Sequence, residues 1–184
     1  MARPWEDNTR DTDIIRRLFP SQAEREIRAA LPVVWPRLWR YGLTLTRDRA
    51  EAEDLAQEAV AQGLAKAAQF APGTRVDRWL MRILHNLWLN RLRAAKVRRG
   101  TGVVDAEEAG LISPDDPEQT FFGGEVLSAV MDLSDVQRSV VLLVYVEGYA
   151  YAEAAEVLDV PVGTVMSRLA AARAKLKERL GDRE

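Results

Sequence analysis

Between Arg75 and Arg99 the chain sets Trp79, Leu80, Ile83, Leu84, Leu87 and Trp88 at helical spacing. At about 100° per residue these apolar side chains share one arc, while Arg78, Arg82, His85, Asn86 and Arg93 fall on the opposite arc, interrupted only by Leu89. The segment is therefore predicted as a helix over about 75–97, with one side packed and the other cationic and amide-bearing. Across it Arg75, Arg78, Arg82, Arg91, Arg93, Lys96, Arg98 and Arg99 face a single acid, Asp77. Such a concentration of charge is the electrostatic footprint of a surface that meets phosphates. A second basic helix is predicted over about 161–180, where Arg168, Arg173, Lys175, Lys177 and Arg179 accompany an apolar repeat.

The net charge is only -2, so positive charge has been gathered rather than spread. Its counterweight is the stretch from Gly100 to Glu125, with Asp105, Glu107, Glu108, Asp115, Asp116, Glu118 and Glu125 and no Lys or Arg. This change of composition suggests two small helical domains, each with a modest core, joined by an acidic linker over 100–124. With no cysteine and one histidine, the chain lacks the makings of disulfides, zinc fingers, thiol catalysis and His-cluster metal sites. No metal or cofactor is expected. The start of the chain lacks the apolar run of a signal peptide and no run approaches a membrane span, so a cytoplasmic protein is expected.

Residues 1–20 read as a polar lead-in with a short helix around Asp13–Phe19. From Ser21 the helical period begins, with Ile27 and Leu31, a break at Pro32 or Pro36, then Val34, Leu38, Tyr41 and Leu45. Asp48 suits an N-cap for the next helix, in which Leu55, Ala59 and Leu64 run inward and Asp54, Gln57 and Glu58 share an outer face. FAPGTR at 70–75 stops that helix. Beyond the linker, a short helix over Glu125–Met131 precedes Ser134-Asp-Val-Gln137, a capping-box sequence. The run Val140–Val146 fits a buried strand by period alone, but its capped start and helical context favour helix. A short helix over Tyr151–Leu158, a turn at Asp159-Val160 and a helix opened by Pro161 at its first position then form a helix-turn-helix. In the second of these helices Val162, Val165, Leu169, Ala172 and Leu176 make the packing face.

The block from LWRYGLTLTRDRAEAEDLAQEAV to RVDRWLMRILHNLWLNRLRAAKVRR resembles the second conserved region of bacterial RNA polymerase sigma factors of the sigma-seventy family. The block LSDVQRSVVLLVYVEGYAYAEAAEVLDVPVGTVMSRLAAARAKLKERL resembles the fourth. Without a third-region domain or a long acidic first region, the chain is similar to the small extracytoplasmic-function (ECF) group. FAPGTR and the acidic linker also resemble the general-stress-response sigma factors of alphaproteobacteria. The resemblance implies an all-α fold, with 21–99 binding core RNA polymerase and the minus-ten element and 125–184 binding the minus-thirty-five element.

By position, Glu53, Asp54, Leu55, Gln57 and Glu58 inherit polymerase docking, with Leu55 as a small apolar anchor beside an acidic face. Arg75, Arg78, Arg82, His85, Asn86, Asn90 and Arg93 inherit capture of the melted minus-ten strand, a task that calls for a basic track and polar groups for base edges. Trp79 and Trp88 are read as core rather than stacking platforms, and His85 as a surface hydrogen-bonder. In the last helix the small Gly163, Thr164 and Ser167 permit close approach to the major groove, and Arg168, Arg173 and Lys175 reach outward. Met166, at a position commonly basic in the family, is expected to meet a thymine methyl or nothing. Ala150, where a Ser cap is usual, costs the start of its helix about 1 kcal/mol.

The resemblance also implies an anti-sigma partner and no chemistry of the chain's own. Two other readings compete: a regulator of duplex DNA acting through the helix-turn-helix alone, and a sigma mimic that titrates an anti-sigma factor. The acidic 53–58 face argues against the first, and two intact basic helices without a sensory domain argue against the second.

Overall fold

A computed structural model describes residues 20–98 and 124–181. The helix expected at Asp13–Phe19 and residues 100–123 of the linker expected over 100–124 lie outside the described residues. Among those described, the fold is all-α: α1 Gln22–Thr46, α2 Arg49–Ala65, a 3-10 turn Ala67–Gln69, α3 Val76–Arg98, α4 Glu125–Met131, α5 Asp135–Val141, a π-helical turn Leu142–Val146, α6 Tyr151–Leu158 and α7 Val162–Leu180. Helices α1, α2 and α3 pack mutually; α7 packs on α4, α5 and α6. The two groups meet where α6 lies along α3.

α1 starts on a full capping box, in which Ser21 Oγ accepts from the Glu24 amide and the Glu24 carboxylate accepts from the Ser21 amide. It then runs without the break expected at Pro32 or Pro36, since both prolines lie inside one continuous helix. Their spacing of four puts both rings on the exposed side, where the carbonyls they leave unpaired face water. Ile27, Val34, Leu38, Tyr41 and Leu45 meanwhile hold the opposite side in the core. Asp48 caps α2 as expected, accepting from the Glu51 amide at 2.7 Å.

α2 approaches α3 closely at Gly63, where a β-carbon would collide with Leu80 Cδ2. On α3 the expected packing arc holds: Leu80, Leu84 and Leu87 are buried, and Trp79, Ile83 and Trp88 are partly buried. A second stripe on the same helix, Asp77, Met81 and His85, is buried too. Repeating every four residues, it faces α6 and α1 rather than solvent, so α3 is enclosed on more sides than its own amphipathicity foretells.

The helical alternative holds for Val140–Val146, with a departure. Leu142–Val146 widens into a π turn, closed by the Glu147 amide donating to the Leu142 carbonyl at 2.9 Å. Tyr145 and Val146 are turned outward while the Glu147 carboxylate and Tyr149 are turned in. The capping box expected at Ser134–Gln137 does not form, because Ser134 makes no side-chain cap bond and Gln137 Oε1 is buried without a partner. Arg138 organises this corner instead: buried, it donates to the carbonyls of Met131, Leu133 and Thr44 and to Asp135. Burial, with Arg47 nearby, lowers its guanidinium to about 10.

Ala150 gives α6 no side-chain cap, yet Glu153 Oε2 accepts from the Ala150 amide at 2.9 Å, so half of a capping box survives. α6 ends on Asp159 in the left-handed region at φ 55°, a conformation Asp tolerates better than most residues. Pro161 is the N-cap of α7 rather than its first helical residue, and Val162, expected in the core, is exposed.

Candidate nucleic-acid interface

Arg75, Arg78 and Arg82 recur at three and four along α3 and form one cationic stripe. Along it lies α6, whose Glu153 and Glu156 and the capping Asp159 recur at three. The rungs match in order. Arg75 reaches Glu153 at 3.4 Å, Arg78 reaches Glu156 at 2.9 Å and Glu153 at 3.8 Å, and Arg82 reaches Asp159 at 2.8 Å.

This ladder stands on a more enclosed cluster. Glu147, its side chain 2% exposed, accepts from Arg37 at 2.6 Å and from Arg40 at 2.5 Å. Asp77 accepts from Arg37 at 2.9 Å, from Arg75 at 2.8 and 2.7 Å, and from the Tyr149 hydroxyl at 3.1 Å. The Arg37 guanidinium also lies over the Tyr149 ring, 5.3 Å from its centre. Burial would raise the Asp77 carboxyl, but the hydrogen bonds from Arg75, Tyr149 and Arg37 prevail and hold it far below the usual carboxylate range. Burial and the Asp77 charge push the Tyr149 hydroxyl up, so it stays protonated and donates.

The remaining minus-ten candidates divide. His85 is not at the surface as expected: it is buried, sharing a 3.0 Å hydrogen bond between its Nδ1 and the Tyr41 hydroxyl. Burial, then the charge of Arg168, lowers its imidazole to about 4. Asn86, Asn90 and Arg93 are exposed, and Asn90 Oδ1 accepts from Arg93 at 3.0 Å. On α2, Glu53, Asp54 and Gln57 are exposed, with Gln57 donating to Glu53 at 3.2 Å. Glu58 is half-buried and bound by Arg91 at 2.7 Å, which ties α2 to α3. Leu55, expected as an apolar anchor for a partner, is fully buried in the protein's own core and has no face to offer.

On α7, Gly163, Met166, Ser167, Arg173 and Lys175 are exposed and Thr164 is half-buried. The Ser167 hydroxyl donates to the Thr164 carbonyl at 3.0 Å. Arg168, expected to reach outward, is half-buried and lies close enough to α3 for its charge to depress His85.

Comparison with known proteins bears on this pair of cationic helices. Residues 34–98 match the model of sigma-70 region 2 and residues 124–176 that of sigma-70, region 4. The chain is 32% identical over 142 residues to the ECF RNA polymerase sigma factor EcfG of Rhodopseudomonas palustris (strain TIE-1), covering 77% of each. It belongs to the ECF sigma factors. It is also 35% identical over 144 residues to the ECF sigma factor SigM of Mycobacterium tuberculosis (strain ATCC 25618 / H37Rv), covering 78% of this chain and 71% of that one. Among solved structures, the sigma factor RpoE of Bartonella quintana, in complex with the anti-sigma factor NepR, matches with TM-score 0.67 at 25% identity, covering 86% of this chain and 99% of that one.

In this ECF sigma factor α1–α3 carry the region-two match and α4–α7 the region-four match. Sequence reasoning singled out Arg75, Arg78 and Arg82 but missed Glu147, Glu153, Glu156 and Asp159. For the last three a signal was available: acids at a spacing of three, along a helix and its C-cap immediately preceding a basic helix. Arg37 and Arg40 were not singled out either, and Tyr41 was visible only as part of a packing period. No described helix is long and apolar enough to cross a membrane.

Proposed function

We propose that this sigma factor binds core RNA polymerase through the exposed acidic face of α2, captures the melted minus-ten strand along α3 and reads the minus-thirty-five duplex with α7. The observation that carries this reading is the presence, in one chain, of two cationic helices of different kind. α3 bears a graded track of arginines that continues into the exposed amides Asn86 and Asn90. α7 is the second member of a helix-turn-helix, with small residues at its start and cations further along. A track of cations and amides suits an unstacked strand, whose backbone needs charge and whose bases need edge donors and acceptors. A helix with Gly163 and Thr164 in its first turn suits the major groove, where bulk at those two positions would hold the backbone away.

Within α2 the docking set reduces to Glu53, Asp54, Gln57 and Glu58, with Leu55 supporting the helix from below. The chain acts in the cytoplasm, supplies no chemistry of its own and leaves catalysis to the polymerase. An anti-sigma factor is a further proposed partner, since the Bartonella quintana relative was solved bound to one.

Run-off transcription with purified core polymerase tests the reading. Specific transcripts that depend on this chain are the expected result. Duplex binding without polymerase-dependent initiation would instead identify a helix-turn-helix regulator, and binding to an anti-sigma factor without DNA or polymerase binding would identify a mimic.

A further inference from the structure

α7, the helix assigned to the duplex, keeps its exposed charge out of its first two turns. Val165, Leu169 and Ala172 turn into the core, while Val162 and Met166 stand outward, 41% and 53% exposed. At about 100° per residue, Val162, Met166, Ala170 and Arg173 share one side of the helix, and Ala170 and Arg173 are exposed as well. An apolar stripe thus runs into a cation. Polar groups are scarce beside it: Thr164 is half-buried, the Ser167 hydroxyl donates to the Thr164 carbonyl, and Arg168 is half-buried close to α3. No acid occurs on the helix before Glu178.

Gly163, next to the stripe, is open: a β-carbon there would meet nothing in the protein, and its φ is not positive. The fold itself therefore does not call for glycine, which weakens a helix relative to alanine. What the missing side chain leaves is room for a partner to approach the backbone. An exposed apolar stripe, a bare backbone beside it and cations further along suit one occupant, duplex DNA. In the major groove the C5 methyl of thymine is the apolar mark on a base-pair edge, read by apolar contact, while the flanking phosphates take the cations. Val162 and Met166 lie about 6 Å apart along the axis, close to two base-pair steps of about 3.4 Å. We propose that Val162 and Met166 read thymine methyls at two positions of the minus-thirty-five duplex, and that Gly163 sets the depth of approach. Contact with methyls, rather than a cation on a guanine edge, decides those two positions. The inference rests on the assignment of α7 to the duplex.

The test uses holoenzyme assembled from core polymerase and the full chain. Duplexes are selected from a pool randomised over the minus-thirty-five region. Each thymine of the selected element, on either strand, is then replaced singly by deoxyuridine, which lacks only the C5 methyl, and binding is read by competition in fluorescence anisotropy. Loss of one buried methyl contact weakens binding by roughly fourfold, and such a loss is expected at two thymines. Met166→Ala should weaken binding to the thymine duplex and abolish the difference between thymine and deoxyuridine at one of them. Val162→Ala should abolish it at the other. Gly163→Ala should keep or raise the melting temperature and weaken binding to every duplex by several-fold.

A selected element without thymine overturns the proposal, as does a wild-type protein indifferent to deoxyuridine. So does a difference that either alanine variant leaves intact at every position. Reduced affinity of Met166→Ala for core polymerase without DNA also overturns it, by making the stripe a protein contact. In each of these cases, a selected duplex that Arg173→Ala still weakens keeps α7 on the DNA, and the wider reading stands. A pool that yields no preference in this region, with Arg173→Ala silent, fails the assignment of α7 and the methyl contacts with it.

Discussion

The sole histidine offers a direct test of the packing between α1 and α3. Burial and the nearby charge of Arg168 lower the His85 imidazole from 6.5 to about 4. The sign follows from linkage: the unfolded chain takes up the proton first as pH falls, so the stability contributed by a neutral buried ring is complete above pH ~6.5 and is lost on the way down to about 4. By pH 5 the unfolded ring has been protonated through roughly 1.5 units while the folded ring remains mostly neutral, and at about 1.4 kcal/mol per unit this removes ~2 kcal/mol. In a domain whose whole stability is on the order of 5–15 kcal/mol, that is a visible fraction. The measurement is unusually clean because one imidazole signal in the proton NMR spectrum must be His85. Its midpoint is expected near 4. Urea unfolding at pH 7.5 and pH 5 should show a loss in the native protein that shrinks by ~2 kcal/mol in His85→Gln, even though that variant is less stable at both pH values. A midpoint between 6 and 7 would mean that the ring is hydrated, and would refute the hydrogen bond to Tyr41 as a buried one.

Three further outcomes are expected from the geometry. Asp54→Arg, on the exposed side of α2, should weaken binding to core polymerase by roughly tenfold, ~1.4 kcal/mol, without changing circular dichroism; equal affinity in a pull-down titration would remove α2 from the docking surface. Trp79→Ala should lose ~3 kcal/mol of stability, because the ring packs 6.0 Å from Phe70. A variant that keeps its melting temperature and loses strand binding would make Trp79 a stacking residue. Gly63→Ala should destabilise by about 1 kcal/mol in urea melts, the helix-propensity gain of ~1 kcal/mol being outweighed by collision with the buried Leu80; a stabilised variant would show that the α2–α3 contact has room to relax.

Local rules carried the sequence reading where one helix decides its own environment. The Leu80, Leu84 and Leu87 arc, the Asp48 cap and the turn at Asp159 were all legible because period, capping chemistry and a short turn act within a few residues. Reading stopped where the environment comes from elsewhere in the chain. His85 sits on the polar side of α3 by any helical wheel, yet Tyr41, distant in sequence, supplies its partner and its burial. Leu55 received its anchor role by position in the resemblance, although its period had already turned it inward, and the core holds it. The prolines of α1 looked like a break because propensity counts the missing amides and not the apolar side chains that keep the helix together. The acidic edge of α6 escaped notice because its meaning depends on α3, roughly seventy to eighty residues earlier.

The π turn at Leu142–Val146 acts as a phase setting for every element behind it. Each residue added to or removed from a helix rotates the downstream chain by about 100°, and the widened turn takes up that rotation locally. A substitution within it alters size or polarity at one place. A one-residue deletion there, restoring an ordinary helix, would redirect Glu147 and Tyr149 together and carry the acidic edge of α6 out of alignment with its three arginines. In this segment the number of residues matters more than their identity, and tolerance to insertion and deletion should be far narrower than tolerance to exchange.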